Sequence, residues 1–305
     1  DALCEQGRNF CSKIWNAFRL IKGWTVDDNI QAPDAAKLAV HWFESKQNEV
    51  AAEVADLFSK YRLSEALMAV YKLFWDEFSS WYLEMIKPAY GQGIDRTTYD
   101  ATLCFLDNLL HLLHPFMPFI TEELWQQMYE RNAEEGESLM VSALSMDTYV
   151  DTAFVAQFEV VKGVISNIRS IRLQKNIAQK EPLDLQVLGE NPVAEFNAVI
   201  QKMCNLSSIT VVESKVEGAS SFMVGTTEYA VPLGNMIDVE AEIARMEAEL
   251  KHKEGFLQGV LKKLSNEKFV NNAPAAVLEM ERKKQADAES IISSLKESIA
   301  ALKKA

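Results

Sequence analysis

The sequence predicts a mainly α-helical protein with an antiparallel helical bundle, a small α+β unit and a C-terminal antiparallel coiled-coil hairpin. Three observations lead to this prediction. Apolar residues recur at helical spacing through the first half, short β-rich runs follow Pro182, and heptads fill the C-terminal end. We expect the boundaries of the three domains at residues 1–150, 151–235 and 236–305.

The bundle is predicted from amphipathic stretches joined by short links, which favour antiparallel neighbours. Helices are expected at residues 8–22, 34–46, 63–88 and 97–114. Ser64 is the expected N-cap of the third helix, which Pro88 ends. A further helix is expected where Thr121 opens a capping-box pattern before Leu124 and Trp125.

The α+β unit begins with a helix that ends in RSIRLQKN. Strands are then expected in LDLQVL, SSITVVE and SFMVGTTEYAVPL, with a helix at 193–204 between the first two. From Val239 to Leu264, and again from Val277 to Leu302, apolar residues step by three and four, interrupted at Lys253. This heptad seam predicts a hairpin of two helices about 40 Å long.

Composition excludes several classes of protein. No run of eighteen apolar residues exists, so no membrane span is expected, and the lack of a secretory leader favours the cytoplasm. The four cysteines lie far apart and are expected to be free thiols. His111 and His114 form an HxxH without a third ligand, so no metal site is expected.

The opening helix departs from the acidity of the chain. The net charge is −13, and residues 236–305 hold twelve basic and twelve acidic residues, so the excess lies before them. Yet from Gln6 to Trp24 four basic residues occur and no acidic one. Cations among aromatic residues can bind phosphates by charge and unstacked bases by stacking. The alternative is a core helix whose basic side chains face water.

Several blocks carry a family resemblance. RNFCSKIWNAFRL, YRLSEALMAVYKLFWDEFSSWYLEMIKP, LLHPFMPFITEELW, IRSIRLQKN, GNMIDVEAEIARMEAEL and KLSNEKFVNNAPAAVLEMERKK resemble the C-terminal third of bacterial valyl-tRNA synthetases, which are class I aminoacyl-tRNA synthetases. The HIGH and KMSKS signatures and the editing domain of that family are absent. The resemblance implies a tRNA-binding part that is inactive alone and holds no cofactor, because ATP and Mg²⁺ belong to the catalytic part.

The resemblance also implies which side chains contact tRNA. Anticodon contacts are expected from Arg8, Asn9, Lys13, Asn16 and Arg19. Contacts at the junction of bundle and arm are expected from Arg169, Arg172 and Lys175. Contacts with the outer corner of the tRNA are expected from Lys251, Lys262, Lys263, Lys268, Arg282, Lys283 and Lys284. The expected partner is a valine-specific tRNA, not DNA or a membrane, and the expected state is a monomer.

Each of these assignments has an alternative in which the residue has only a structural role. Asn16 could be a buried amide, Arg19 could pair with Asp76 or Glu77, and the hairpin cations could form a solvated face. Aromatic residues that could stack on bases are equally suited to the core: Trp75, Trp81, Tyr82 and Trp125. The alternative function is a helical scaffold that docks other proteins and binds no RNA. A free-standing enzyme is disfavoured, since Asp76, Glu77 and Glu84 have no partner nucleophile.

Overall fold

The computed structural model describes residues 2–129, 137–216, 218–233, 239–265 and 275–302. Within it the chain forms two compact units. One comprises residues 1–172 and 178–232, and the other comprises residues 173–177 and 233–305. The mainly α-helical class predicted from the sequence is confirmed.

The first unit contains the predicted helices. In chain order they are α1 (Ala2–Lys22), α2 (Asp34–Ser59), α3 (Leu63–Lys72), a π-helical segment (Leu73–Tyr82), α4 (Leu83–Ile86), α5 (Arg96–Leu113), α6 (Pro118–Met128) and α7 (Thr152–Gln174). Two short strands, β1 (Val26–Asp27) and β2 (Ile94–Asp95), pair in parallel and bring the turn after α1 beside the start of α5.

Two helix starts differ from the sequence prediction. Arg62, not Ser64, is the N-cap of α3, and its side chain makes no capping hydrogen bond. Helix α6 begins at Pro118, because proline suits the first helical turn, where a backbone N–H has no partner. Thr121 is therefore not its N-cap: it is buried, and its hydroxyl donates to the Met117 carbonyl at 2.8 Å.

Aromatic rings fill the core around α2. Trp42 and Phe43 are fully buried, and Trp42 stacks on Phe158 of α7 with ring centres 4.2 Å apart. Phe43 contacts Phe78 of the π-helical segment at 5.3 Å and Phe105 of α5 at 5.1 Å. These rings hold four helical segments together through apolar burial.

The sheet completes the first unit. Its strands are β3 (Leu183–Leu188), β4 (Leu206–Val212), β5 (Ser220–Val224) and β6 (Thr227–Val231), in the order β4-β3-β6-β5. β3 pairs with β4 in parallel and with β6 antiparallel, and helix α8 (Asn197–Cys204) lies between β3 and β4 in sequence. Helix α7 approaches β5 closely, since a Cβ atom on Gly163 would lie 3.0 Å from Val224 Cγ1. The predicted strands are confirmed.

The second unit contains the hairpin helices α9 (Val239–Leu264) and α10 (Ala275–Leu302). They run antiparallel, because Lys296 pairs with Glu254 at 2.8 Å and Lys263 pairs with Glu281 at 3.8 Å. The predicted link through residues 266–274 lies outside the described residues.

The seam of the hairpin differs in part from the heptads predicted from the sequence. Four described apolar side chains are buried along it: Val260, Ala288, Ile292 and Ile299. Glu281 is also buried, whereas the expected seam residue Val277 is 38% exposed. Ala288 is buried as the sequence pattern predicts, and one turn after the exposed Val277 the buried face of α10 includes the carboxylate of Glu281.

Candidate nucleic-acid interface

Helix α1 has one buried and one exposed face. The buried face consists of Phe10, Ile14, Ala17, Phe18 and Ile21. Arg8, Asn9, Asn16 and Arg19 are exposed. About 16 Å of helix axis separates Arg8 from Arg19, since each residue adds about 1.5 Å. The apolar face fixes the helix, so the polar face is presented on a rigid support.

Asn16 and Arg19 lack protein partners within the described residues. Neither side chain donates a hydrogen bond to another described residue, and both are exposed. The alternative that Asn16 is a buried amide is therefore wrong. The alternative that Arg19 pairs with Asp76 or Glu77 is also wrong, because neither carboxylate forms an ion pair with it, and Glu77 accepts instead from Lys162 Nζ at 2.6 Å. Donors without partners on a rigid face are free to bind a ligand.

Arg8, unlike Arg19, has an ion-pair partner on its own helix. Helix α1 begins at Ala2 and so includes Glu5, whose carboxylate lies 3.5 Å from the Arg8 guanidinium. Both side chains are largely exposed, so this ion pair is weak and a phosphate can replace the carboxylate.

Lys13 is half-buried and lies against an aromatic cluster. Its ammonium is 5.0 Å from the centre of the Trp75 ring, a cation–π contact. Trp75 in turn stacks on Tyr71 at 5.6 Å, and Phe10 of α1 packs 4.7 Å from Tyr71. Lys13 therefore ties α1 to the π-helical segment as well as adding positive charge.

The C-terminal end of α1 borders a cavity of about 480 Å³. It is lined by Gly23, Trp24, Thr25 and the turn at 87–93. Tyr90 in that turn is fully exposed. Gly93 packs so tightly that an added Cβ would lie 2.9 Å from the Thr25 carbonyl oxygen. The sequence analysis did not name Tyr90 as a candidate. An aromatic residue within a glycine-rich turn is the feature of the sequence that could have indicated it.

Arg169 and Arg172 on α7 have different surroundings. Arg169 is exposed, with its guanidinium 5.6 Å from the centre of the half-buried Trp81 ring. Arg172 is 2% exposed and donates to the carbonyls of Cys204 at 2.7 Å and Ala178 at 2.9 Å. Burial also lowers the pKa of the Arg172 guanidinium from its ordinary value. Arg172 is thus removed from the set of surface cations.

Lys175 and the aromatic candidates also differ from one another in burial. Lys175 is half-buried. Tyr82 and Trp125 are buried, as the core alternative predicts, and burial raises the pKa of the Tyr82 hydroxyl well above its ordinary value. Trp75 and Trp81 are half-buried, and each lies beneath a cation.

The hairpin cations form two groups. The exposed ones without an ion pair to a described residue are Lys251, Lys262, Arg282 and Lys283. Glu281 pairs with Lys284 at 2.8 Å and with Lys263 at 3.8 Å. The hydrogen bond from Lys284 lowers the pKa of the Glu281 carboxyl. Lys268 lies outside the described residues, and Lys253 is half-buried on α9.

The two histidines of the HxxH motif have protein partners. His114 Nδ1 lies 2.8 Å from the Thr121 hydroxyl, and His111 Nδ1 lies 2.9 Å from the Asp107 carbonyl oxygen. Among the described residues, no three side chains are grouped as ligands for a metal ion. No helix in the described part of the chain is long and apolar enough to cross a membrane.

Two family models match the chain. A model described as the anticodon-binding domain of tRNA ligase matches residues 40–187, and one described as the valyl tRNA synthetase tRNA binding arm matches residues 238–303. The chain belongs to the valyl-tRNA synthetase family. Over these ranges it therefore carries an anticodon-binding domain and a tRNA-binding arm.

Individual relatives agree with this family. The valine–tRNA ligase of Bacteroides thetaiotaomicron is 99% identical over 305 residues, which cover all of this chain and 35% of that protein. The enzyme of Phocaeicola vulgatus is 72% identical, covering all of this chain and 34% of that protein. That of Enterococcus faecalis is 35% identical, covering 97% of this chain and 35% of that protein. The chain thus spans about a third of the length of these relatives.

The matched ranges include some candidate residues and not others. Helix α1 precedes the match at 40–187, which contains Arg169, Arg172 and Lys175. All of the hairpin cations lie within the match at 238–303. The anticodon assignment of the α1 residues therefore depends on the geometry of that helix.

Proposed function

We propose that the exposed face of α1 binds the anticodon stem-loop of a valine-specific tRNA, while the hairpin contacts the outer corner of the same molecule. The observation that carries this proposal is the exposure of Asn16 and Arg19, without protein partners in the described residues, on a helix whose opposite face is buried. The chain as a whole has a net charge of −13, so its acidic remainder repels the nucleic acid and favours contact at this cationic face.

Each residue type on the face has its own role in the proposal. Arg8 and Arg19 bind phosphates, whereas the amides of Asn9 and Asn16 can read base edges. At the end of α1 the exposed ring of Tyr90 offers a surface on which an unstacked base can lie. Lys13 adds positive charge beside Trp75. Phosphate contacts supply affinity, and amide contacts supply the preference for one anticodon.

On the hairpin, the proposed contacts with the tRNA corner begin with the exposed cations Lys251, Lys262, Arg282 and Lys283. Lys263 and Lys284 contribute less, because Glu281 already neutralises part of their charge. Lys268, Arg169 and Lys175 remain proposed contacts. Two separate contact regions on one tRNA raise the overall affinity, because the second contact forms within the complex.

We further propose that the chain works as a monomer in the cytoplasm and holds no cofactor of its own. Its relatives are named valine–tRNA ligases, and in such an enzyme the part preceding the matched third would activate valine with ATP and Mg²⁺. The chain by itself would bind tRNA without charging it. The scaffold alternative has no support from the family matches.

Filter binding of valine tRNA at two salt concentrations tests the proposal. We expect affinity to fall steeply as salt rises, because bound phosphates release counterions. Arg19→Ala should reduce the salt slope by about 1 and weaken all tRNAs alike. Asn16→Ala should instead narrow the preference for valine tRNA over another tRNA. Lys37→Ala, which removes an exposed cation of α2, is the matched control.

The outcomes separate the two functions. Wild-type affinity in both α1 variants would contradict the anticodon assignment, and no tRNA binding at either salt concentration would favour the scaffold. Deletion of residues 238–305 should lower the affinity while preserving the choice of anticodon. Loss of that choice would contradict the division of roles between the bundle and the hairpin.

A further inference from the structure

Glu281 places a buried carboxylate within the apolar seam of the hairpin. It is 6% exposed, and Ala288 and Ile292 are buried on the same face of α10. Among the described residues of the hairpin, Glu281 is the one charged residue that is buried. Its Oε1 accepts from Lys284 Nζ at 2.8 Å. Its Oε2 lies 3.8 Å from Lys263 Nζ of α9 and has no hydrogen-bond partner in the described part of the chain.

The apolar residues of the hairpin do not by themselves fix how far α10 extends along α9, an alignment called the register below. On α9, the half-buried residues Leu250, Leu257 and Leu264 recur every seven positions. A slip of α10 by one heptad, about 10.5 Å, would therefore place leucines against its buried face again. The connection through residues 265–274 could span on the order of 30 Å when extended, so it permits such a slip.

Glu281, in contrast, distinguishes one register from another. In the observed register its carboxylate faces Lys263. Seven residues before Lys263 the sequence has Phe256, and seven residues after it Val270. A slip of one heptad in either direction would thus leave a buried charge without its cation from α9, which is strongly destabilising. Lys253 also falls on the seam, but it is only half-buried, and its long side chain can carry the ammonium to water.

The register also sets which exposed cations lie at the same level of the hairpin. Lys262 precedes Lys263 on α9, and Arg282 and Lys283 follow Glu281 on α10. The ion pair between their neighbours therefore brings Lys262 level with Arg282 and Lys283. A slip of one heptad would separate the two groups by about 10.5 Å and divide the cluster of exposed cations.

We propose that Glu281 is a positioning residue, which fixes the register of the hairpin and thereby aligns Lys262 with Arg282 and Lys283 for the phosphates of a folded RNA. Its carboxylate acts through Lys263 and binds no RNA itself. The effect on register follows from the hairpin alone. The effect on RNA binding rests on the proposed contacts between the hairpin and the corner of the tRNA.

Carbodiimide crosslinking of the 305-residue chain measures the register. Lys296 Nζ and Glu254 Oε1 lie 2.8 Å apart, and their side chains are 56% and 46% exposed. This exposed pair is too weak to determine the register, but the reagent can reach it and join the two groups as an amide. Glu281→Leu should lower the yield of this crosslink about fivefold, because a hairpin without the buried charge populates several registers. Peptide mass spectrometry measures the yield.

Two comparisons separate register from stability. Replacing a buried charge by leucine should not destabilise the hairpin, so Glu281→Leu should not speed amide hydrogen exchange in α9. Glu289→Leu, which removes an exposed carboxylate from the same helix, is the matched control and should leave the crosslink yield unchanged.

Three results would overturn the proposal. The first is an unchanged crosslink yield in Glu281→Leu. The second is a lower yield accompanied by faster hydrogen exchange in α9, because this would assign Glu281 to the stability of the hairpin rather than to its register. The third is an equal loss of the crosslink in Glu281→Leu and Glu289→Leu.

Filter binding of valine tRNA tests the effect on RNA separately. Removal of a negative charge would by itself raise the affinity for RNA. Mixed registers should instead weaken binding by Glu281→Leu about fivefold, since only a fraction of the molecules presents aligned cations. A lower crosslink yield with wild-type or higher tRNA affinity would overturn the positioning role. If deletion of residues 238–305 left the affinity unchanged, the proposed function itself would fail, while the crosslink would still test the register.

Discussion

Lys162 Nζ donates to Glu77 Oε2 at 2.6 Å and thereby joins α7 to the π-helical segment. The same ammonium donates to Glu159 at 2.8 Å and lies 5.2 Å from the centre of the Trp42 ring. The Lys162 side chain is only 12% exposed and that of Glu77 18%. One cation therefore neutralises a largely buried carboxylate and covers the aromatic core at the same time.

Lys162→Ala should destabilise the bundle more than the loss of an exposed ion pair would. Glu77 would remain largely buried without a partner, so we expect a loss of about 2 kcal/mol in the free energy of unfolding. Lys37→Ala, which breaks an exposed pair with Asp34, should cost less than about 0.5 kcal/mol. Urea denaturation measures both. Equal losses in the free energy of unfolding for the two variants would show that the buried pair stabilises the fold no more than the exposed pair.

Arg172 and Arg169 provide a matched pair on one helix. Arg172→Met leaves the buried carbonyl of Cys204 and the partly buried carbonyl of Ala178 without their donor, and should lower the free energy of unfolding by about 3 kcal/mol. Arg169→Met removes an exposed cation–π contact and should cost about 0.5 kcal/mol. In tRNA binding, Arg169→Met should reduce the salt slope. A stable Arg172→Met variant with weakened tRNA binding would contradict its structural role.

Gly163 faces Val224 with no room for a larger side chain. A Cβ atom would already lie 3.0 Å from Val224 Cγ1, so Gly163→Leu should cost about 2 kcal/mol by overpacking α7 against β5. Adding Val224→Ala should restore part of that loss, and a double-mutant cycle measures the coupling. Gly259→Ala, in open space on α9, should instead stabilise its helix. Additive effects at Gly163 and Val224 would rule out the steric contact.

Asp151 should make stability depend on pH. The backbone N–H of Phe154, and then His41, lower the pKa of its carboxyl from the ordinary value. A lowered folded-state pKa stabilises the fold above the unfolded-state value of about 4, and this stabilisation is lost as pH falls through the folded-state pKa. Asp151→Ala should therefore lower the thermal midpoint at neutral pH and have less effect in acid.

Asp76 offers a control for that comparison, since it is exposed and makes no hydrogen bond to a described residue. Asp76→Ala should change the midpoint little at either pH. An Asp151→Ala effect of the same size at both pH values would indicate that the carboxylate contributes nothing through its charge.

The fold was largely predictable, because helical periodicity and proline positions determine most elements directly. The helix ending before Pro88, for example, stops at Ile86. Helix starts were less predictable: Thr121 has the residue type of an N-cap, but its hydroxyl bonds backwards to Met117. On α10 the adjacent isoleucines 291 and 292 fit two registers, and the packing of α9 buries Ile292.

The candidate site was less predictable than the fold. Arg169 and Arg172 lie three residues apart in one basic segment and look equivalent in sequence. They differ because Cys204 and Asn205, distant in sequence, present carbonyls to Arg172 alone. Likewise, the exposure of Tyr90 follows from the path of a glycine-rich turn, which no periodic pattern encodes. Asn16 and Arg19, in contrast, are exposed as the amphipathic pattern of α1 implies.

The π-helical segment from Leu73 to Tyr82 is the place where the bundle can tolerate the loss of a residue. A turn closed by a bond to residue i+5 contains about one residue more than an α-helical turn. Loss of a single residue there can be absorbed by tightening to ordinary α-helix. The same deletion in α2 would rotate every following side chain by about 100° and turn Trp42 or Phe43 away from the core. Insertions and deletions among homologous chains should therefore collect in this segment and avoid α2.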